Sequence, residues 1–429
     1  MTDTSATTRA RVAATLSRRY RTERIFRGLG LAAIVLSLLA LATLLTDVVG
    51  KGYSAFRQTY ITLEITLDPA TLDPTGARDP AELLRADTQT PLREALRNRL
   101  PDVTSAADRR SLYQLLSPSA PFILAEAVAG DPSLLGRTFR FRALANDEVD
   151  TLIKGSISRD VPEDQRRITD KQIAWIDEMV EAGDITLRFN WAFFTGGDSR
   201  DPESAGILGA AVGSALTLAV ALVLSFPLAV AAAIYLEEFA PDNRWTYLIE
   251  VNINNLAAVP SIIFGLLGLA VFLNFFGLPR SAPLVGGLVL ALMTLPVIII
   301  AARGAINAVP PSIREAAMGI GASPIQVVFH HVAPLALPGI MTGTIIGMAR
   351  ALGETAPLLM IGMVAFIVDV PRSVTDAATV LPVQIFLWAD SSERAFVERT
   401  AAATLVLLGF LLLMNATAVY LRRRFEVRY

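Results

Sequence analysis

The chain has 429 residues, 53% of them hydrophobic, and a mean hydropathy of +0.48. This exceeds the roughly 45–50% apolar content of soluble domains, and the excess lies in runs of membrane-spanning length, so we predict an integral membrane protein. The absence of cysteine excludes disulfides, thiolate metal sites and thiol catalysis, and two histidines do not favour a histidine-based metal site. The net charge of −2 averages over unlike halves and indicates no partner.

Residues 1–27 form a polar, basic tail, and residues 28–49 form an apolar run long enough to cross a bilayer. The positive-inside rule places this tail in the cytoplasm. A cleaved signal peptide is the alternative, but the apolar run is long for one and no A-x-A site follows. We therefore expect a retained signal anchor. The arginines of the tail are Arg9, Arg11, Arg18, Arg19, Arg21, Arg24 and Arg27.

Residues 50–205 contain no spanning run and are rich in Asp, Glu and Arg, which predicts a small folded domain of α+β type between the first two spans. The aromatic residues near its end fit either the membrane interface or the core of the domain. They are Phe189, Trp191, Phe193 and Phe194. The predicted strands are residues 60–67 and 184–189, and the predicted helices are residues 79–100, 105–116 and 170–182.

Five more apolar runs follow, so we predict six transmembrane helices in an otherwise all-α chain. With the first residue in the cytoplasm, six crossings place the basic C-terminus, which includes Arg428, in the cytoplasm and the 50–205 insert outside. The same count places the loop at residues 303–337 in the cytoplasm. The later runs are residues 207–234, which Pro227 is expected to break, then 248–276, 284–302, 338–367 and 401–421.

The loop before the fifth span begins with a predicted short helix. Ser312 and Glu315 have the S-x-x-E spacing of a capping box, just after Pro310 and Pro311. Gly321 is expected to end this helix, because glycine adopts the left-handed conformation at low cost.

A second helix start follows directly in the same loop. Ser323, with Pro324 at the first helical position and Gln326 at the third, has the pattern of a second capping box. Pro334 and Pro338 are expected to close this helix before the next span.

Two opposite charges lie inside the fifth apolar run. Arg350 and Glu354 are four residues apart, so on one helix they share a face. Charges at bilayer depth cost at least a few kcal/mol each. They indicate one of two roles. Either the two side chains form an ion pair that only stabilises the helix, or Arg350 binds an anion during transport and pairs with Glu354 when no anion is bound. Gly353 and Pro357 allow a bend there.

Two groups of motifs resemble known transporters. Glu315, Ala316, Ala317 and Gly321, followed by Pro334, resemble the EAA loop of ABC-importer permeases, with His331 and Ala333 departing from the usual Ile and Leu. Residues 349–357 (ARALGETAP), 234–239 (IYLEEF) and 255–265 (NLAAVPSIIFG) resemble the phosphate-specific permeases of the PstA type. The resemblance covers roughly the last half of the chain, the size of one membrane domain.

The resemblance implies type I ABC-importer permease architecture and a multi-pass protein of the bacterial inner membrane that carries inorganic phosphate. The implied partners are a permease of the PstC type, a dimeric ATPase of the PstB type and a periplasmic phosphate-binding protein of the PstS type. The EAA-like loop, residues 310–338, would dock into the ATPase. Arg350, Glu354 and Thr355 become candidates for the substrate pathway. The spans would be surrounded by membrane lipid.

Several functions are not supported by the sequence. No P-loop is present and no lysine follows Lys171, so another chain would hydrolyse ATP. No nucleophile–base arrangement indicates an enzyme, and we expect no cofactor and no nucleic-acid partner. The rival interpretations are the sister phosphate permease, a permease for another oxyanion, and a membrane-anchored sensor whose ligand binds the periplasmic insert. The predicted domains are residues 1–27, 28–49, 50–205 and 206–429.

Overall fold

The computed structural model describes residues 4–425, without the side chains of residues 4–14, 17, 421 and 425. Arg428 and the side chains of Arg9 and Arg11, named above for topology, lie outside the described residues. The chain divides into two units, one ending at Lys51 and one beginning at Gly52. The first is formed by most of helix α1 (Thr4–Ala55), whose stretch Arg18–Ala55 has the length and apolar character of a membrane span.

The second unit begins with a two-layer α+β insert, as the sequence predicts. Its antiparallel sheet has the strand order β2-β1-β3, and one face is covered by helices. Alternation along the central strand explains this arrangement, because Ile61, Leu63 and Ile65 point into the core. The elements are β1 (Arg57–Thr66), α2 (Pro69–Leu72), α3 (Pro80–Leu83), α4 (Gln89–Arg99), α5 (Ala106–Tyr113), α6 (Ala120–Gly130), β2 (Thr138–Leu144), α7 (Asp147–Ile153), α8 (Asp170–Glu181), β3 (Ile185–Phe189) and α9 (Trp191–Thr195).

Three details of the insert differ from the prediction. The helix expected over residues 79–100 is two helices, α3 and α4, and the Asp79 side chain caps the first by accepting a hydrogen bond from the amide of Ala81. Strand β2 and helices α6 and α7 were not predicted. Thr138–Leu144 alternates arginine with apolar residues, so its pattern was available, but the neighbouring charges masked it.

The remainder of the second unit is helical. Helix α13 packs against α10 and α16, and a shared apolar core includes Val285, Leu290, Met348 and Leu358. The elements are α10 (Leu208–Ile234), α11 (Arg244–Ala257), α12 (Ser261–Leu267), α13 (Pro283–Asn307), α14 (Pro311–Gly319), α15 (Pro324–Val327), α16 (Ala333–Gly353), α17 (Ala356–Met360), α18 (Leu381–Ala389) and α19 (Phe396–Phe425).

Within residues 4–425, five helical stretches are long and apolar enough to cross a membrane, and a sixth is obtained if one bent pair counts as a single span. That pair is Arg244–Ala257 and Ser261–Phe275, which meet at 103°. Pro260 explains the break, because the residue before a proline is disfavoured in helical conformation. Pro227, in contrast, does not break α10, which runs through it. The six predicted spans are thus five continuous helices and one broken one.

Candidate functional site

The loop after α13 is built from two short helices whose ends are defined by local chemistry. Helix α14 ends in a Schellman motif: the amide of Ala322 donates to the carbonyl of Ala317 at 3.1 Å, and that of Gly321 to Met318 at 2.9 Å. Gly321 has φ +92°, so the predicted helix stop is confirmed. Ser323 and Gln326 form the predicted capping box of α15.

The first predicted capping box is wrong. Helix α14 begins at Pro311, so Ser312 lies inside the helix and caps nothing. Proline at the first helical position is already fixed near the helical φ and needs no hydrogen-bond partner, so the helix starts one residue before the serine. Glu315 is therefore not a capping residue, and its side chain is exposed.

The loop presents an exposed apolar surface beside Glu315 and Ala316. Four large apolar side chains that a soluble loop would not be expected to expose are 53% to 83% accessible: Met318, Ile320, Ile325 and Phe329. Ala317, in contrast, is buried and packs with Val327, Val328 and Val332 against the ends of α10 and α13. Several exposed large apolar side chains within one short loop are typical of a protein-interaction surface.

Two arginines, one on α13 and one on α14, form ion pairs that were not predicted from the sequence. Arg314 on α14 forks onto Glu238, with its Nη2 2.7 Å from Oε1, and also donates to the carbonyls of Val309 and Ile306 at 2.7 and 3.0 Å. Arg303 pairs with Glu237 and with Glu250, the latter at 2.7 Å. The acidic side chains at positions 237 and 238 are only 10% and 11% exposed. A fork of this geometry fixes orientation as well as contributing energy.

The two prolines expected to close the second helix do not do so. Helix α15 continues through a π-helical segment, Val328–Val332, into α16, with Pro334 in the first turn and Pro338 in the interior. The wider π turn provides room for a proline ring that would clash with the carbonyl four residues earlier. The loop after α13 is therefore joined to the fifth span by one uninterrupted helix.

The candidate pathway residues lie where this helix ends. Helix α16 stops at Gly353 rather than continuing to residue 367, and Glu354 adopts an extended conformation at its end. Arg350 and Glu354 still pair, with 3.4 Å between Nε and Oε1, while the arginine side chain is 48% exposed. Thr355 is half-buried at the start of α17. A single long contact on a half-exposed arginine leaves most of its donors available.

Two sequence stretches singled out above meet at this break. Gly265 of α12 lies directly against α17, so that a Cβ placed on it would stand 2.7 Å from Cα of Pro357. Only a residue without a side chain allows the two backbones to approach this closely. The second half of the bent third span therefore packs directly against the short helix α17 that follows the fifth span.

Comparisons with known proteins address the helical part and the insert separately. Residues 225–427 match the family model described as binding-protein-dependent transport system inner membrane component, and residues 13–163 match a domain of unknown function, DUF3333. Phosphate transport system permease protein PstA 1 of Mycobacterium tuberculosis is 30% identical over 232 residues, which are 54% of this chain and 75% of the relative. The chain belongs to the phosphate ABC transporter permease family.

Two further relatives extend the comparison. Phosphate transport system permease protein PstC of Haemophilus influenzae is also 30% identical, over 52% of this permease and 76% of the relative. The solved MetNI methionine ABC transporter in an inward-facing conformation covers 50% of the permease and 95% of the solved chain, with 18% identity and a TM-score of 0.41. The family is one of transport permeases rather than enzymes.

In this permease, the insert is held to the last helix by buried charges. Arg399 of α19 is 2% exposed; it donates to Oε1 of Gln58 at 2.5 Å and to the carbonyls of Ala55 and Glu203 at 3.3 Å. Lys154 of the insert lies 3.4 Å from Glu398. Of the two environments considered for the aromatic residues, the membrane interface and a protein core, Phe193 occupies a core. It is fully buried, and the guanidinium carbon of Arg399 lies 5.7 Å from the centre of its ring. Trp191 is 69% exposed.

One acid at this junction is chemically unusual. Burial raises the pKa of Glu203 to about 7, with smaller contributions from the nearby Asp147 and Asp201 charges. Its Oε1 has no hydrogen-bond partner among the described residues. Burial also raises the pKa values of Asp147 and Glu148, which line the same polar cavity of about 380 Å³. The sequence analysis named none of these residues, since nothing in their spacing distinguishes them from surface acids.

The asparagines at the head of the third span do not bind neighbouring helices within the described chain. Asn254 and Asn255 are exposed, and the amide of Asn252 donates to the carbonyl of Leu248 in its own helix at 2.7 Å. They face outward from α11, on a surface without a partner in this structure.

Proposed function

We propose that this permease is a translocating subunit of an ATP-driven importer of inorganic phosphate. The observation that carries the proposal is the half-exposed Arg350 at the end of an apolar span, paired with Glu354 by a single 3.4 Å contact at a break in the helix. A guanidinium offers several donors to a tetrahedral oxyanion, and Glu354 occupies it between passages. Thr355 completes this polar edge of the path. The printed names of the relatives, which are phosphate transport permeases, support the same substrate.

The loop after α13 is proposed as the coupling surface. The exposed apolar patch around Glu315, Ala316 and Ile320 docks a cytoplasmic ATPase dimer of the PstB type. The Schellman end at Gly321 and the fork between Arg314 and Glu238 keep this patch in shape. Because α15 continues into α16 through the segment that contains Pro334, movement of the docked loop is transmitted along one helix to Arg350.

The remaining partners follow from the type of transporter. A second permease of the PstC type completes the path, and a periplasmic phosphate-binding protein of the PstS type delivers phosphate. In this proposal the protein lies in the bacterial inner membrane, with both termini in the cytoplasm and the insert in the periplasm. The A-type position in the pair is part of the proposal, since relatives named PstA and PstC share the same 30% identity with the chain.

Substrate identity is tested by uptake. The whole complex is reconstituted in vesicles with ATP on the cytoplasmic side, and uptake of radiolabelled phosphate is measured with a tenfold excess of arsenate or of sulfate. We expect arsenate to suppress uptake and sulfate to leave it unchanged. Labelled sulfate entering as fast as phosphate would contradict the proposed substrate.

A further inference from the structure

The outward face of the insert sheet carries a row of cationic side chains. Cross-strand pairing places Arg188 beside Gln58, Arg142 beside Thr62 and Arg140 beside Glu64. Residues on alternate positions of β1 share one face, so these three arginines lie on the face opposite the core. The register alone brings together charges from two strands more than 40 residues apart in the chain.

Two of these arginines are free to bind a ligand. Arg140 pairs with Glu64 at 3.3 Å, whereas Arg142 and Arg188 make no ion pair or side-chain hydrogen bond in the described part of the chain. Tyr60 lies between them, and the charges of Arg142 and Arg188 both act on its phenol. Burial raises the pKa of Tyr60 by more than the arginine charges lower it, so the hydroxyl stays protonated and can donate a hydrogen bond at neutral pH.

The same residues line an open groove of about 660 Å³ with an aromatic end. Phe189 and Trp191 are 49% and 69% exposed, and their ring centres lie 4.9 Å apart in an edge-to-face arrangement. Arg57, which pairs with Phe189, is two residues from the end of the apolar helix α1 at Ala55. The aromatic end of the groove is therefore close in sequence to the C-terminal end of α1, and the arginines lie farther along the strands.

We propose that this groove binds the phosphate group of an anionic phospholipid. Arg142, Arg188 and Tyr60 contact the phosphate oxygens, and Phe189 and Trp191 contact the glycerol and upper acyl region. Arginine with exposed Trp at a membrane boundary is suited to this amphipathic ligand. Inorganic phosphate offers the same anion but no group for the aromatic end, so it is the competing source of the ligand.

The test uses the full-length chain in mild detergent and native mass spectrometry, with phosphatidylglycerol, phosphatidylcholine and inorganic phosphate as probes. We expect phosphatidylglycerol to be retained in preference to phosphatidylcholine, and R142A/R188A to weaken its binding roughly tenfold or more, because two charge-assisted contacts are lost. R97A/R159A removes two arginines elsewhere on the insert, which pair with Glu94 and Asp177, and should change nothing. Trp191→Ala should weaken phosphatidylglycerol binding and leave the weak binding of inorganic phosphate unchanged.

Three results would overturn the proposal. Equal retention of both lipids would show that the arginines do not select an anion. Unchanged phosphatidylglycerol binding in R142A/R188A, or in the single variants R142Q and R188Q should the double variant fail to fold, would remove the groove as the site. Displacement of phosphatidylglycerol by millimolar inorganic phosphate would make this a site for the free anion.

Discussion

At the scale of single residues, the glycine at the end of α14 is required by its backbone conformation and not by the room available for a side chain. Gly319 and Gly321 stand two residues apart at the end of α14, and a Cβ added to either would meet no atom within 4 Å. They differ in φ, which is +92° at Gly321 and is not in the left-handed region at Gly319. The pair therefore separates conformational strain from steric clash.

We predict that Gly321→Val leaves membrane insertion intact and abolishes co-purification of the ATPase, because a β-branched residue is strongly disfavoured at positive φ. Gly319→Val is the matched control and should retain the ATPase. Pull-down with the ATPase as bait measures both. Equal recovery of the two variants would show that the Schellman end does not shape the docking surface.

Glu203 makes a prediction about pH. Its folded-state pKa is raised to about 7, so the protonated form is favoured by folding, and stability present below pH 4.5 is lost as the pH rises through 7. The loss is about 3 kcal/mol at most. Glu203→Gln should raise the thermal unfolding midpoint at pH 8 and change it little at pH 5. The exposed Glu64→Gln is the control, and a Glu203→Gln midpoint unchanged at pH 8 would contradict the burial argument.

At the scale of elements, the bend in the third span and the end of the fifth span are packed against each other. Helix α12 and helix α17 pack through Gly265 and Pro357, and the contact partner of an added Cβ is backbone, which cannot move aside. The break at Pro260 and the helix end at Glu354 precede these two short helices, and Arg350 lies in the last turn of α16 just before the second. Any side chain at position 265 would therefore disturb the geometry of the candidate pathway.

We expect Gly265→Ala to destabilise the protein by about 1–3 kcal/mol, the cost of overpacking a close contact. Gly304→Ala in α13 is the control, because a Cβ there meets no atom within 4 Å and alanine favours the helix. Thermal unfolding in detergent measures both. A Gly265→Ala protein as stable as Gly304→Ala would show that α12 and α17 are not in close contact.

Sequence reasoning predicted the elements that local chemistry specifies and failed where distant residues decide. The span positions, strands β1 and β3 of the insert, the stop at Gly321 and the cap at Ser323 follow from neighbouring residues. The fork between Arg314 and Glu238 joins residues 76 positions apart, and the exposed-looking acids at 237 and 238 gave no sign of their partners. Likewise, Gly353 and Pro357 indicated that a bend near Glu354 is possible, but not that the fifth span ends there.

At the scale of the whole molecule, the insert has a core of its own. Its apolar cluster runs from Ile61 to Ile185, whereas the cluster at its junction with α18 and α19 is formed by other residues, among them Ala55, Phe193, Trp388 and Phe396. The ends of the insert also meet, since Tyr60 and Thr186 are cross-strand partners. The insert can therefore be replaced by a short turn without opening the junction.

We predict that replacing residues 60–185 with a short Gly/Ser linker retains some ATP-dependent phosphate uptake. Glu398 loses Lys154 and Ser156 in this variant, so Glu398→Gln is added to avoid an unpaired buried charge. The matched control is Glu398→Gln alone, and vesicle uptake is compared between the two. Complete loss of uptake from an assembled complex would mean that the insert takes part in delivery of the substrate.

The most direct test of the account is phosphate uptake by the reconstituted complex with Arg350 and Glu354 both changed to leucine. If the pair only locks the helix, apolar replacements should restore transport, since replacing both partners of an ion pair removed from bulk water by apolar residues is often neutral. If Arg350 contacts phosphate, we expect the double-leucine complex to assemble, hydrolyse ATP and move no labelled phosphate. Arg350→Lys should retain part of the uptake, because lysine offers charge without paired donors. Wild-type uptake by the double-leucine complex would contradict this expectation and remove Arg350 from the phosphate path.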